Sequence, residues 1–179
     1  MSDKGVKPCK TQAAKVHAEF FIDGYRISGV FDARRRLLGD MLYDPTTSYL
    51  EVQEAFLSPI GDPAHISNHY GRAVLSKEKI SLIITPNTQD GLRSDQRHYR
   101  GRYQTSLVAT LSFFDVTGEL YTTSQFKLQT FLSIQAGPFI ALLDATAYSA
   151  FHKDINYQGG VALVNTAHIS CIGEKQSRS

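Results

Sequence analysis

Apolar and polar residues alternate along most of this chain, and the pattern predicts short β-strands separated by turns. Val16 to Ile22 (VHAEFFI) reads as a first strand, Asp23-Gly24 as a two-residue hairpin turn, and Tyr25 to about Asp32 as the returning strand. Arg34 to Leu42 (RRRLLGDML) reads as an irregular or briefly helical crossing, because Leu37, Leu38, Met41 and Leu42 would bury one side of a helical turn. Tyr43-Asp44-Pro45-Thr46-Thr47 is a turn by composition, and Tyr49 to about Phe56 a third strand. Arg72 to Leu75 and Ile80 to Thr85 are expected to close the set as a hairpin through Ser76-Lys77-Glu78-Lys79.

The same order of blocks then recurs. Ile27-Ser28-Gly29-Val30-Phe31 is followed 89 positions later by Val116-Thr117-Gly118-Glu119-Leu120. Tyr49 to Ala55 (YLEVQEA) has its counterpart in Phe139 to Ala145 (FIALLDA). Gly71-Arg72-Ala73-Val74-Leu75, four residues, and Ile80-Ser81-Leu82-Ile83 match Gly160-Val161-Ala162-Leu163-Val164, four residues, and Ile169-Ser170-Cys171-Ile172. Repeats of this kind indicate a duplicated unit. The expected fold is mainly β with little helix: two tandem, pseudo-symmetric small barrels or strongly bent five-stranded sheets. Residues 15–85 would form the first copy and 105–173 the second. An arginine-rich linker or loop would span 86–104, with tails at 1–14 and 174–179.

The first copy, from KVHAEFFIDGYRISGVFDA to YLEVQEAF, resembles the opening of Sm/Hfq-like small barrels, with Gly29 as the strand glycine that permits tight curvature. RRLLGDML followed by YLEV also resembles a bacterial small-barrel domain of unknown function that occurs in one or two copies. Sm-type RNA sites place an Asp and a Met-Asn pair soon after the strand glycine. Here that stretch is Asp32-Ala33-Arg34-Arg35-Arg36, and Asp40-Met41-Leu42 comes later without an Asn, so that RNA site does not carry over.

Composition narrows the function. A formal charge of +2 argues for neither nucleic acid nor membrane by itself, and no apolar run is long enough for a spanning helix. Cys9 and Cys171 show no metal or CxxC spacing and read as free thiols, so a reducing, cytoplasmic setting is expected. No nucleophile-base motif, phosphate loop or zinc signature is present. No cofactor, metal or catalytic role is expected. His65 and His69 beside Asp62, and His152 with Asp154 in the matching loop, read as solvated rather than as metal ligands.

Two functional readings remain. The first is a non-catalytic assembly, scaffold or regulatory protein that binds a protein partner or itself. The continuous apolar run at Phe139, Ile140, Leu142 and Leu143 is the candidate contact face between copies or subunits. The alternative is RNA or single-stranded nucleic acid, bound where Arg93, Arg97, Arg100 and Arg102 interleave with His98, Tyr99 and Tyr103, extended by Arg34, Arg35 and Arg36.

Overall fold

A computed structural model describes residues 15–33, 36–96, 103–131, 133 and 137–175. Among the described residues ten strands are formed: β1 (Lys15–Ile22), β2 (Tyr25–Asp32), β3 (Tyr49–Pro59), β4 (Asn68–Ser76), β5 (Ile80–Thr85), β6 (Tyr103–Thr110), β7 (Phe114–Thr122), β8 (Phe139–Ser149), β9 (Asn156–Asn165) and β10 (Cys171–Glu174). They make one open antiparallel sheet in the order β10-β6-β7-β8-β9-β5-β1-β2-β3-β4. The described helices are single turns, α1 (Leu38–Leu42), α2 (Thr88–Gly91) and α3 (Leu128–Thr130), with 3₁₀ turns at Lys77–Lys79 and Thr166–His168.

Local sequence explains the turns and bends. Asp23 and Gly24 both have positive φ, 45° and 84°, and Ile22 pairs directly with Tyr25. Two left-handed residues in a two-residue loop are what a tight hairpin needs. The β2–β3 ladder slips between Ser28 and Val30, around Gly29, and the β7–β8 ladder slips between Thr117 and Glu119, around Gly118. A Cβ on Gly29 would stand 2.3 Å from Val52 Cγ1, and one on Gly118 would stand 2.8 Å from Leu142 Cβ. Facing these slips, Glu54 of β3 and Asp144 of β8 are the only non-glycine residues besides Asp23 with positive φ among the described residues, at 47° and 48°. An unpaired residue at such a bulge bends its strand and increases its twist.

One expected pairing is not made. β4 and β5 do not form a hairpin: the 3₁₀ turn at Lys77–Lys79 carries the chain away from β4, and β5 pairs with β1 on one side and β9 on the other. The reason is burial. Leu82, Ile83 and Ile84 are all buried, which requires cover on both faces of β5 and a central place in the sheet.

The β5–β9 ladder joins the two halves of the chain, pairing Leu82 with Val164, Ile83 with Leu163, Ile84 with Ala162 and Thr85 with Val161. The cores interlock across it. Phe21, Leu82 and Ile84 pack among Leu107, Val116 and Leu142, while Phe139, Val161 and Leu163 pack among Phe20, Leu50 and Val52. Two side chains fasten the seam's end: Asn165 Nδ2 donates to Ile80 O at 2.8 Å, and a His168 ring nitrogen lies 2.8 Å from Glu78 O. In the segment expected as a linker, residues 86–88 lie on β9, where Gly160 N donates to Pro86 O at 3.0 Å and Thr88 Oγ1 to Gly160 O at 3.2 Å.

Candidate interaction site

The two end strands of the sheet leave different surfaces open. Among the described residues β4 (NHYGRAVLS) bonds only to β3, and its other edge has no strand partner among them. With no neighbour to cover them, Tyr70 is 46% exposed and Val74 63%, whereas Leu75 turns inward and is buried. Arg72 is also exposed, its Nε 3.2 Å from Glu51 Oε1. His69 stacks on Phe56 with ring centroids 4.2 Å apart and holds its Nε2 3.3 Å from Glu54 Oε2. An apolar cleft of about 360 Å³ runs along this edge, lined by Ile27, Leu57, Tyr70, Ala73, Val74 and Leu75.

At the opposite end, β10 bonds only to β6 among the described residues. Cys171 is an exposed free thiol, Glu174 is exposed, and a Cβ added to Gly173 would meet nothing within 4 Å. Natural sheets protect such edges with lysine, proline, short strands or a covering element. β10 is short, but β4 has nine residues and contains neither Lys nor Pro.

The apolar run in the second half is not an outward face. β8 lies between β7 and β9, and Phe139, Ile140 and Leu142 are buried, with Leu143 half-buried. Its continuous apolarity reflects an interior strand covered on both faces. Beside it, Tyr43 donates its hydroxyl hydrogen to Phe139 O, and a cleft of about 160 Å³ is lined by Tyr43, Arg93, Tyr121 and Phe139 among others. Small-molecule pockets begin at roughly 300 Å³.

Of the basic candidates, Arg34, Arg35, Arg97, His98, Tyr99, Arg100 and Arg102 lie outside the described residues. The others are engaged within the chain or stand apart. Arg36 pairs with Asp44, whose carboxyl is held well below the usual carboxylate range by hydrogen bonds from the Thr46 hydroxyl, Arg36 and the Thr46 amide. Arg93 bonds Asp95 at 3.0 Å and lies 4.3 Å from the Tyr43 ring centroid. Burial pushes the Tyr43 phenol up, partly opposed by Arg93. Tyr103 is exposed at the start of β6, opposite Thr122.

His65 and His69 do not converge with a third ligand: no group of three or more His, Cys, Asp or Glu side chains is placed to hold a metal ion among the described residues. No described helix is long and apolar enough to cross a membrane. The β4 edge escapes a reading by hydrophobic runs, because its strand is mostly polar. Its signal is subtler: Tyr70 and Val74 are strand-favouring residues without a protecting Lys or Pro. Comparison with models of known families, with curated proteins and with solved structures finds no match to this chain.

Proposed function

We propose that this chain is a non-catalytic assembly protein, built from a duplicated small β unit, that works by accepting a strand onto a free sheet edge. The observation that carries the reading is β4, a nine-residue end strand with exposed Tyr70, Arg72 and Val74 and neither Lys nor Pro. Addition of a strand supplies main-chain hydrogen bonds along such an edge, while side-chain pockets beside it select the partner. The cleft beneath Tyr70 and Val74 is such a pocket.

Duplication is supported by coincidences that alternation alone does not produce. Gly29 and Gly118 stand 89 positions apart, each at a ladder slip and each against the third strand of its own half. Glu54 and Asp144, 90 apart, share an uncommon positive φ. Within each half the strand order is the same, β5-β1-β2-β3-β4 and β10-β6-β7-β8-β9. The nucleic-acid reading draws less support, since Arg36 and Arg93 are both paired with acids.

The test is the native size of the epitope-tagged protein in gentle extracts of its own cells. The reading expects a complex well above 19.9 kDa that Gly71→Val reduces to the monomer. A wild-type protein that already migrates as a monomer would overturn it.

A further inference from the structure

The halves of this chain are already joined through one edge-to-edge contact, and the free edges are the same two edges again. In the strand order of each half, β9 occupies the place of β4, and β10 the place of β5. The seam is β9 against β5; the open ends are β4 and β10. Resting on the assembly reading above, we propose that the occupant of the β4 edge is β10 of a second copy of this chain, paired in the register of the β5–β9 seam.

Shifting both sides of the seam by 89 positions gives that register. Leu82 opposite Val164 becomes Cys171 opposite Leu75, and Ile83 opposite Leu163 becomes Ile172 opposite Val74. Ile84 opposite Ala162 becomes Gly173 opposite Ala73, and Thr85 opposite Val161 becomes Glu174 opposite Arg72. The last pair sets a carboxylate against a guanidinium, a favourable cross-strand combination. Val74, more exposed than Tyr70, the other large apolar residue exposed on β4, would be covered by Ile172.

Side-chain volumes are exchanged across the two contacts in a compensating way. At the seam the incoming residues are large, Leu82 and Ile84, and the receiving strand is pared down: a Cβ on Gly159 would stand 2.5 Å from Ile84 Cγ2. At β4 the position of Gly159 is taken by Tyr70, while the incoming residues are small, Cys171 and Gly173. The cleft beside Tyr70 is open, filled by none of the described residues. Close packing favours such paired substitutions of large for small.

Two glycines have no close neighbour among the described residues to explain them. Gly160 has one: a Cβ there would stand 2.5 Å from Thr88 N and 2.8 Å from Pro86 O, in the segment that follows β5. Its counterpart Gly71 meets nothing within 4 Å, and neither does Gly173. In the proposed contact Lys175 lies over Gly71 as Pro86 lies over Gly160. The contact is head-to-tail, so repeated copies close into a ring or extend as a filament, according to the rotation per copy.

Sedimentation velocity of the purified full chain across a concentration series tests this. Wild type is expected to associate beyond a dimer. Gly71→Val, in open space among the described residues, should keep the circular dichroism of wild type and, at concentrations where wild type is monomeric, a melting temperature no lower than wild type's, and should lose association. Arg72→Glu and Glu174→Arg should each weaken association by about tenfold or more, and the double variant should recover it. A wild-type monomer at every concentration, or single variants that associate unchanged, would overturn the proposal. If the purified protein is monomeric while the tagged protein still runs as a Gly71-dependent complex in its own cells, the second copy is the wrong occupant and the assembly reading stands. If both are monomeric, both fall.

Discussion

Leu82 of β5 stands directly opposite Val164 of β9, and both are fully buried. This pair lies at the one ladder that turns two five-stranded sets into a single sheet. Its energetic consequence is that neither core is complete without residues from the other half.

Denaturant unfolding followed by far-UV circular dichroism and tyrosine fluorescence should therefore show one coincident transition. Leu82→Ala should shift the whole transition by roughly 2–5 kcal/mol, the usual range for a buried leucine truncated in a packed core. Two resolved transitions, or a loss confined to one, would show that the halves fold independently.

The two kinds of glycine should respond in opposite ways. A methyl on Gly118 would stand 2.9 Å from Leu143 O, a backbone atom that cannot rotate aside. Gly118→Ala should cost about 1–3 kcal/mol, as overpacking does. Gly71→Ala enters open space in an ordinary strand conformation and should be neutral or stabilising by up to about 1 kcal/mol. Urea midpoints of the two variants, measured at monomer concentrations, decide the point.

Much of this architecture could be anticipated from local signals. Asp23-Gly24 announces its own turn because left-handed φ at two successive positions is a local requirement. Pairing partners are not local. Ser76 to Lys79 looks like a hairpin loop, yet β5 is drawn to β1 and β9, because Ile80, Leu82, Ile83 and Ile84 need neighbours on both sides. The apolarity of Phe139 to Leu143 suggests a contact between copies or between subunits; β8 is interior, and its Phe139 packs among Phe20, Leu50 and Val52 of the first half. The open edge falls instead on β4, whose polar sequence conceals it until the strand order is known.

Acid should loosen the loop before β3. Asp44 accepts hydrogen bonds from Thr46 Oγ1 at 2.6 Å and Thr46 N at 2.8 Å and pairs with Arg36. Its folded pKa lies below the ordinary carboxylate value of about 3.9. A depressed carboxylate stabilises the fold above its unfolded pKa, and that contribution is lost as pH falls through the folded value. Asp44→Asn should thus be less stable than wild type at neutral pH and should approach it progressively below about pH 4. Thermal melts from pH 7 to 2 check this, and a constant difference across the range would contradict it.

The central claim is that β4 receives β10 of another copy, and a disulfide can read that register directly. In a Cys9→Ser background, Leu75→Cys would face the natural Cys171 of the neighbouring chain. Opposed antiparallel residues have Cα atoms about 4.5–5.5 Å apart, within disulfide reach. Mild oxidation should then yield a ladder of reducible species beyond the dimer on non-reducing gels. Tyr148→Cys, a more accessible thiol on β8, should yield no such ladder. Equal crosslinking of the two variants, or none from Leu75→Cys, would contradict the account.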